Sequence, residues 1–242
     1  WESACMACKR SPVRARLAPL HRTPPDSGGV RRSGLALVGL VLVLLPIVGN
    51  ARARPHRISC TNNLKQLNYA FRIWANAHDD KFPMQVPATN GGAQEWAAQG
   101  AAHAVFLTMS NELESPKVLI CQSDSSRVAA TTFSQTVRPG SLGKSIAFTP
   151  TNQLSYFVGL NSDVSQPDTI VSGDDNLMIG DVQAKPGLWL LNTNDPVAWT
   201  KERHIYNGNV ALADGSVQGF NSSALCAALV RTGLATNRLA MP

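Results

Sequence analysis

A chain of 242 residues, 44% of them hydrophobic, is long enough to bury the core of one globular domain with appendages. Its formal charge of +6 is concentrated on the two sides of one apolar run. Lys9, Arg10, Arg14, Arg16, Arg22, Arg31 and Arg32 precede the run, and Arg52, Arg54 and Arg57 follow it. Basic residues placed this way orient a membrane segment, and no aromatic residues are interleaved among them to stack bases, so no nucleic-acid partner is expected.

Residues 1–33 form a basic leader rich in Arg, Pro and Ser, a composition that predicts disorder. Its Cys5-x-x-Cys8 lacks the second Cys or His pair of a zinc site. Residues 34–49 are uncharged and apolar. As a helix they would rise roughly 24 Å, short of the about 30 Å hydrocarbon core of a bilayer. Two expectations follow. The segment 34–57 is a short membrane anchor with its basic flank, or it is the apolar part of a signal peptide cleaved after Ala53 in Ala51-Arg52-Ala53. Both export the remainder, 58–242, because the heavier positive cluster lies on the N-terminal side.

Over 58–78, Leu64, Leu67, Phe71 and Trp74 recur at three- and four-residue steps, which predicts an amphipathic helix with a core-facing stripe. Residues 93–110 predict a second helix. Strand-length apolar runs follow at 118–121, 154–158, 177–179 and 188–191, with polar loops at 122–152 and 161–175. A hairpin is expected from Asn209 to Phe220, turning at Asp214-Gly215 with positive φ at both residues. Ser222 is expected to cap a short helix through Leu229, closed by Gly233. The order, helix first and antiparallel strands after, reads as α+β.

Several segments together carry a family resemblance: Arg57-Ile-Ser-Cys-Thr-Asn-Asn-Leu-Lys-Gln-Leu67, Phe71-Arg-Ile-Trp-Ala-Asn76 with Lys81-Phe-Pro83, Pro116-Lys-Val-Leu-Ile-Cys121 with Asp124, Ser155-Tyr-Phe-Val-Gly-Leu160, and Gly208-Asn-Val-Ala-Leu-Ala-Asp-Gly-Ser-Val217. With His204 placed ten residues before Asp214, the chain resembles pilin-like and pseudopilin-like proteins of the type II secretion and type IV pilin kind. These have a prepilin-type N-terminus and a C-terminal H-X9-DG element. The resemblance implies a long N-terminal helix, apolar first and amphipathic second, packed on a small antiparallel sheet. It implies a single pass of a bacterial inner membrane, with the N-terminus cytoplasmic and the head periplasmic or at the cell surface. It implies other pilin-like subunits as partners, and a prepilin peptidase cutting between Gly34 and Leu35. Gly39 stands where the family has a glutamate that pairs with a neighbouring subunit's amine.

Cys60 and Cys121 fall in matching segments and are candidates for a disulfide; the other reading is two small buried side chains. His204, Asp214 and Gly215 are expected to be structural, with Asp214-Gly215 in the turn and His204 bonded to nearby loop backbone. A catalytic or metal pair is the rival reading, but no histidine spacing, nucleophile motif or phosphate loop accompanies it. Asp174, Asp175 and Asp181 are expected to be solvated turn carboxylates, with Ca²⁺ ligation as the alternative. No catalytic residue, metal or other cofactor is expected. The chain reads as a non-enzymatic, anchored envelope protein; the alternative is a soluble exported enzyme or binding protein.

Overall fold

The computed structural model describes residues 57–134, 145–149 and 153–242. The basic leader, the apolar run with Gly34, Leu35 and Gly39, and the Ala51-Arg52-Ala53 segment lie outside the described residues. Among the described residues no helix is long and apolar enough to cross a membrane.

The amphipathic stripe forms a helix, α1, over 57–76. It buries Cys60, Leu64, Leu67, Phe71, Trp74 and Ala75. Asn68 shares that face, because its Nδ2 donates to Leu212 O at 2.8 Å and finds a partner out of water there. The helix gives way to turns at 77–80, where Asp79 and Asp80 take φ of 54° and 55°. Aspartate tolerates that left-handed conformation better than most residues.

The helix expected over 93–110 is instead three short pieces: α2 (Gln94–Ala98), α3 (Ala102–Thr108) and α4 (Ser110–Leu113). Gly100 separates the first two at φ +82°, and a Cβ there would stand 2.2 Å from Leu188 N and 2.3 Å from Gly187 C. The backbone of 187–188 thus passes where a side chain would be, and the helix breaks to let it. The strand expected at 118–121 is a 3-10 turn, Pro116–Leu119, whose opening Ser115 hydroxyl accepts from Lys117 N–H at 3.4 Å. Pro116 has no N–H to give a strand ladder.

The remaining elements are β1 (Tyr156–Gly159), β2 (Ile170–Asp174), β3 (Leu177–Ile179), β4 (Val182–Gln183), β5 (Gly187–Asn192), β6 (Val197–Trp199), β7 (Asn207–Leu212), β8 (Val217–Asn221), α5 (Ser222–Arg231) and β9 (Thr236–Met241). Six strands make one sheet in the order β5-β9-β1-β2-β7-β8, and β4-β3-β6 make a second. Every pairing is antiparallel. The fold is α+β. Part of the loop expected over 161–175 is the central strand β2. There Ser172 satisfies its hydroxyl on Phe157 O at 2.7 Å, and Gly173 makes room for the Phe157 ring.

Both faces of the large sheet are covered at its middle strands, β1, β2 and β7. Tyr156, Val158, Ala211 and Ala213 join the core beneath α1, while Phe157, Val210 and Leu212 join a second core with Leu225, Ala228 and Leu229 of α5. The period-two alternation of a strand divides neighbouring residues between these cores. The terminal hairpin forms, but with a different turn. Gly215 N–H donates to Leu212 O at 3.0 Å, Leu212 N–H donates to Ser216 O at 2.9 Å, and only Gly215 has positive φ, at 94°. This is a type I turn followed by a glycine bulge, so Asp214 stays in ordinary φ and accepts from Ser216 N–H at 2.7 Å. The cap of α5 is Asn221, which accepts from Ala224 N–H at 2.8 Å, while Ser222 Oγ accepts from Trp199 N–H at 3.0 Å.

Gly100→Ala is expected to destabilise the head by about 1–3 kcal/mol, from the close backbone approach and the strained φ together. A urea-denaturation midpoint no lower than that of the parent protein would refute this account of the helix break.

Candidate functional site

The first half of α1 and the loop before β7 meet at a buried polar cluster. Cys60 of α1 and Cys121, just past the 3-10 turn, are joined by a disulfide with a sequence separation of 61. Both are 0% exposed. His204 lies against it, with Nε2 at 3.4 Å from Cys121 Sγ and 3.5 Å from Asp174 Oδ2. His204 thus faces two side chains, where loop backbone was expected. Asp174 closes β2 and is 0% exposed, and its Oδ2 accepts from Asn209 N–H at 2.7 Å and Asn209 Nδ2 at 2.9 Å.

Beside this group lies a second, more strongly charged one. Arg203 donates to Asp124 Oδ2 at 2.9 Å, pairs with Asp175 Oδ1, and gives Nη1 to Ser155 O at 3.0 Å. Arg127 joins Asp175 at 2.5 Å and Asp124 at 3.3 Å. Asp174 and Asp175 are therefore buried rather than solvated, and two guanidiniums stand where a calcium ion would compete for Asp175. Asp181 alone of the three is exposed. A shallow depression of about 330 Å³, lined by Ser123, Ser125, Ser126 and Glu202, reaches Asp124 and Arg203 from solvent.

Arg203, Ile205 and Tyr206 have φ of 62°, 51° and 55°. Left-handed backbone costs an L-residue about 1–2 kcal/mol, most of all a β-branched one such as Ile205. Such strain persists only where surrounding contacts over-determine it. Here Arg203 is held by two carboxylates and a carbonyl, His204 is buried against the disulfide, and Tyr206 N–H donates to Thr200 O at 3.1 Å. The side chains of Ile205 and Tyr206 are turned outward as a result, 63% and 57% exposed.

The two ends of the H-X9-DG element stand at opposite ends of β7, so His204 and Asp214 are not a catalytic pair. What they share is α1. Thr61 Oγ1 donates to Asn209 Oδ1 at 3.2 Å near the start of β7. Asn68 reaches Leu212 O at its end, and Arg72 Nη1 donates to Ala213 O at 2.6 Å in the turn. The helix lies along the strand, with His204 at one end and Asp214-Gly215 at the other. Sequence reasoning did not single out Arg127 or Arg203 for any role, Asn209 entered only as the start of the expected hairpin and within a segment of the resemblance, and Asp124 entered only as part of the resemblance.

Burial sets the protonation here. It pushes Asp174 up to about 7, against the Asn209 hydrogen bonds and Arg203. It also pushes His204 down to about 4, helped by Arg57 and Arg203. Near neutral pH His204 is therefore an uncharged ring, and its contact with Asp174 is not an ion pair. Burial opposes the charge of Asp124 too, but Arg203, the hydroxyls of Ser126 and Ser155, and Arg127 outweigh it and hold the pKa below the ordinary aspartate value.

Comparison with protein-family models, with curated proteins and with solved structures gave no match.

Two predictions follow from the charges. Arg203→Met leaves Asp124 and Asp175 short of a partner out of water and is expected to cost about 3–5 kcal/mol; a loss below 1 kcal/mol in chemical denaturation would contradict that. The Asp174 contribution to stability is present below pH 3.8 and lost as pH rises through about 7. The His204 contribution is present above pH 6.5 and lost as pH falls through about 4. Their slopes oppose each other in the parent protein. Asp174→Asn is expected to leave stability rising with pH between 4 and 6.5, and His204→Gln to leave it falling, each by up to about 1.4 kcal/mol per pH unit. Melting temperatures across that range check both signs.

Proposed function

We propose that this chain is a non-enzymatic, membrane-anchored envelope protein of the pilin or pseudopilin kind, a subunit of a type II secretion-like or type IV pilus-like assembly. The observation that carries the reading is the seating of α1. The helix is described from 57, a few residues after the apolar run in sequence, and lies along one strand of an antiparallel sheet through side-chain hydrogen bonds from Thr61, Asn68 and Arg72. A helix that starts in a bilayer and ends on a sheet transmits anchoring to the head only if that contact is firm. Cys60–Cys121 adds a covalent tie from the helix to the segment after the 3-10 turn, which meets the entry to β1 through Ser155 N–H on Leu119 O at 2.9 Å. A structural disulfide belongs to an oxidising compartment, which agrees with a head on the exported side. In the chain-entropy picture, closing a loop of this length contributes roughly 4 kcal/mol.

In this reading Gly34 and Leu35 flank the prepilin peptidase cut, and Gly39 supplies no carboxylate for a neighbouring subunit's amine. Partners meet the head through its exposed surface, whose large apolar groups include Ile58, Tyr69 and Ile73 of α1 and the strained Ile205-Tyr206 corner. The rest of the membrane half would be covered by lipid or by other apolar helices.

Membrane fractionation with N-terminal sequencing tests this. A carbonate-resistant membrane pool is expected, and a mature terminus at Leu35 would add processing by a prepilin peptidase. A soluble periplasmic pool beginning at Arg54 would overturn the proposal in favour of an exported enzyme or binding protein released after Ala53.

A further inference from the structure

The disulfide has a third ligand-type atom beside it. Cys60 Sγ, Cys121 Sγ and His204 Nε2 lie within 4.8 Å of one another, all three residues buried. They come from α1, from the segment after the 3-10 turn, and from the loop before β7, so three separate parts of the chain converge on one point. Asp174 Oδ2 stands 3.5 Å from the same histidine nitrogen. The other oxygen of Asp174, Oδ1, is buried with no hydrogen-bond partner among the described residues.

We infer that reduction converts this disulfide into a site for a divalent d-block cation, zinc above all, held by Cys60, Cys121 and His204 with Asp174 as the oxygen donor of the fourth place. The inference does not depend on the pilin-like reading. Two thiolates, one imidazole and one carboxylate are a donor set that zinc takes in tetrahedral geometry. Zinc bond lengths of about 2.3 Å to sulfur and about 2.0–2.1 Å to nitrogen or oxygen put neighbouring ligand atoms about 3.3–3.8 Å apart in a tetrahedron. The Cys121–His204 and His204–Asp174 separations, 3.4 and 3.5 Å, already suit two edges of that figure. Breaking the S–S bond opens the edge between the sulfurs, and Asp174, whose carboxylate lies outside the 4.8 Å grouping of the other three, must shift toward the opened pair to complete the figure. Asp174 is steadied by two hydrogen bonds from Asn209, the outer-shell support that orients a metal-bound carboxylate.

The chemistry balances with a dithiol reductant as the co-reactant. The disulfide accepts two electrons and two protons, and the reductant leaves as its own disulfide. The cation then binds both sulfurs as thiolates, and two protons go to solvent. The two states do the same mechanical work, tying α1 to the 116–121 segment. The metal state adds the strained loop at His204 to the tie. A head caught in a reducing environment would keep its helix seated by exchanging one fastener for another.

The test uses the full chain, purified in detergent and treated anaerobically with a dithiol reductant that is then removed, and titrated with Co²⁺. The expected result is one equivalent of cobalt with strong tetrahedral d–d absorption and thiolate-to-cobalt charge transfer, displaced by one equivalent of Zn²⁺. The unreduced chain should show neither band. Cys226→Ser and the double variant Cys5→Ser with Cys8→Ser, which alter the cysteines outside the cluster, should leave the spectrum and its one-equivalent end point unchanged, and the His204 and Asp174 variants are made in that background. His204→Ala should weaken cobalt binding at least tenfold, with His204→Cys restoring it, and Asp174→Asn should weaken it by about 10-fold or more. If reduction unfolds the chain, added metal should bring back its far-ultraviolet circular dichroism. The inference is overturned if the reduced chain shows no tetrahedral cobalt spectrum, or if His204→Ala binds cobalt as tightly as the parent.

Discussion

The burial of one guanidinium constrains much of this head. Arg203 is removed from water and must be answered on every side, by Asp124 after the 3-10 turn, by Asp175 beyond β2 and by the carbonyl of Ser155 entering β1. Those three partners belong to segments far apart in sequence, and the side chain brings them to a single point. The answer also dictates backbone. With Arg203 drawn inward, the loop takes left-handed φ at three non-glycine residues, and His204 has nowhere to go but against the disulfide. Ion pairs of this kind gain little over an apolar core of the same shape, but losing one member is costly. Their contribution is to admit one arrangement of the chain.

The seating of α1 on β7 rests on that arrangement. Apolar burial supplies the driving force, since each fully buried Leu or Phe contributes about 1.5–3 kcal/mol. It does not fix where along the strand the helix stops. Thr61, Asn68 and Arg72 do that by reaching acceptors at defined heights on β7 and its turn, and the disulfide fixes the near end. The H-X9-DG spacing then has a physical meaning. Nine intervening residues cover the loop and strand between the histidine beside Cys60 of the helix and the turn that meets Arg72.

Much of this was legible before any coordinates. Leu64, Leu67, Phe71 and Trp74 announce α1 because a helix buries one face, and Asp214-Gly215 announces a turn because glycine alone enters left-handed backbone freely. The register of Leu177–Ile179 as a strand could be read in the same way. What stayed hidden depends on partners distant in sequence. β2 reads as loop because Ser172, Gly173 and Asp174 are small or polar, and only Phe157 and Asn209 make that strand sensible. The break at Gly100 answers to the backbone of β5, and the strand expected at 118–121 yields to Pro116. Asp174 and Asp175 look like solvated turn carboxylates until Arg127, Arg203 and Asn209 are placed beside them. Of the site, the Cys60–Cys121 bridge was visible as a candidate and is formed, but the place of His204 against it was not.

The position of β9 carries a consequence for how the head is made. Residues 236–241 are inserted between β5 and β1, strands completed some fifty and eighty residues earlier. Until those residues emerge, β5 has no neighbour in the large sheet, and β1 presents an open edge to whatever it meets. The head cannot close in stages behind a ribosome or a translocation channel, because its late-made strand is an interior one. Long-range pairings of this sort are slow to form and leave exposed edges while they wait. A chain threaded outward in an extended state would therefore remain without its finished sheet, and so remain threadable, until residues 236–241 had passed.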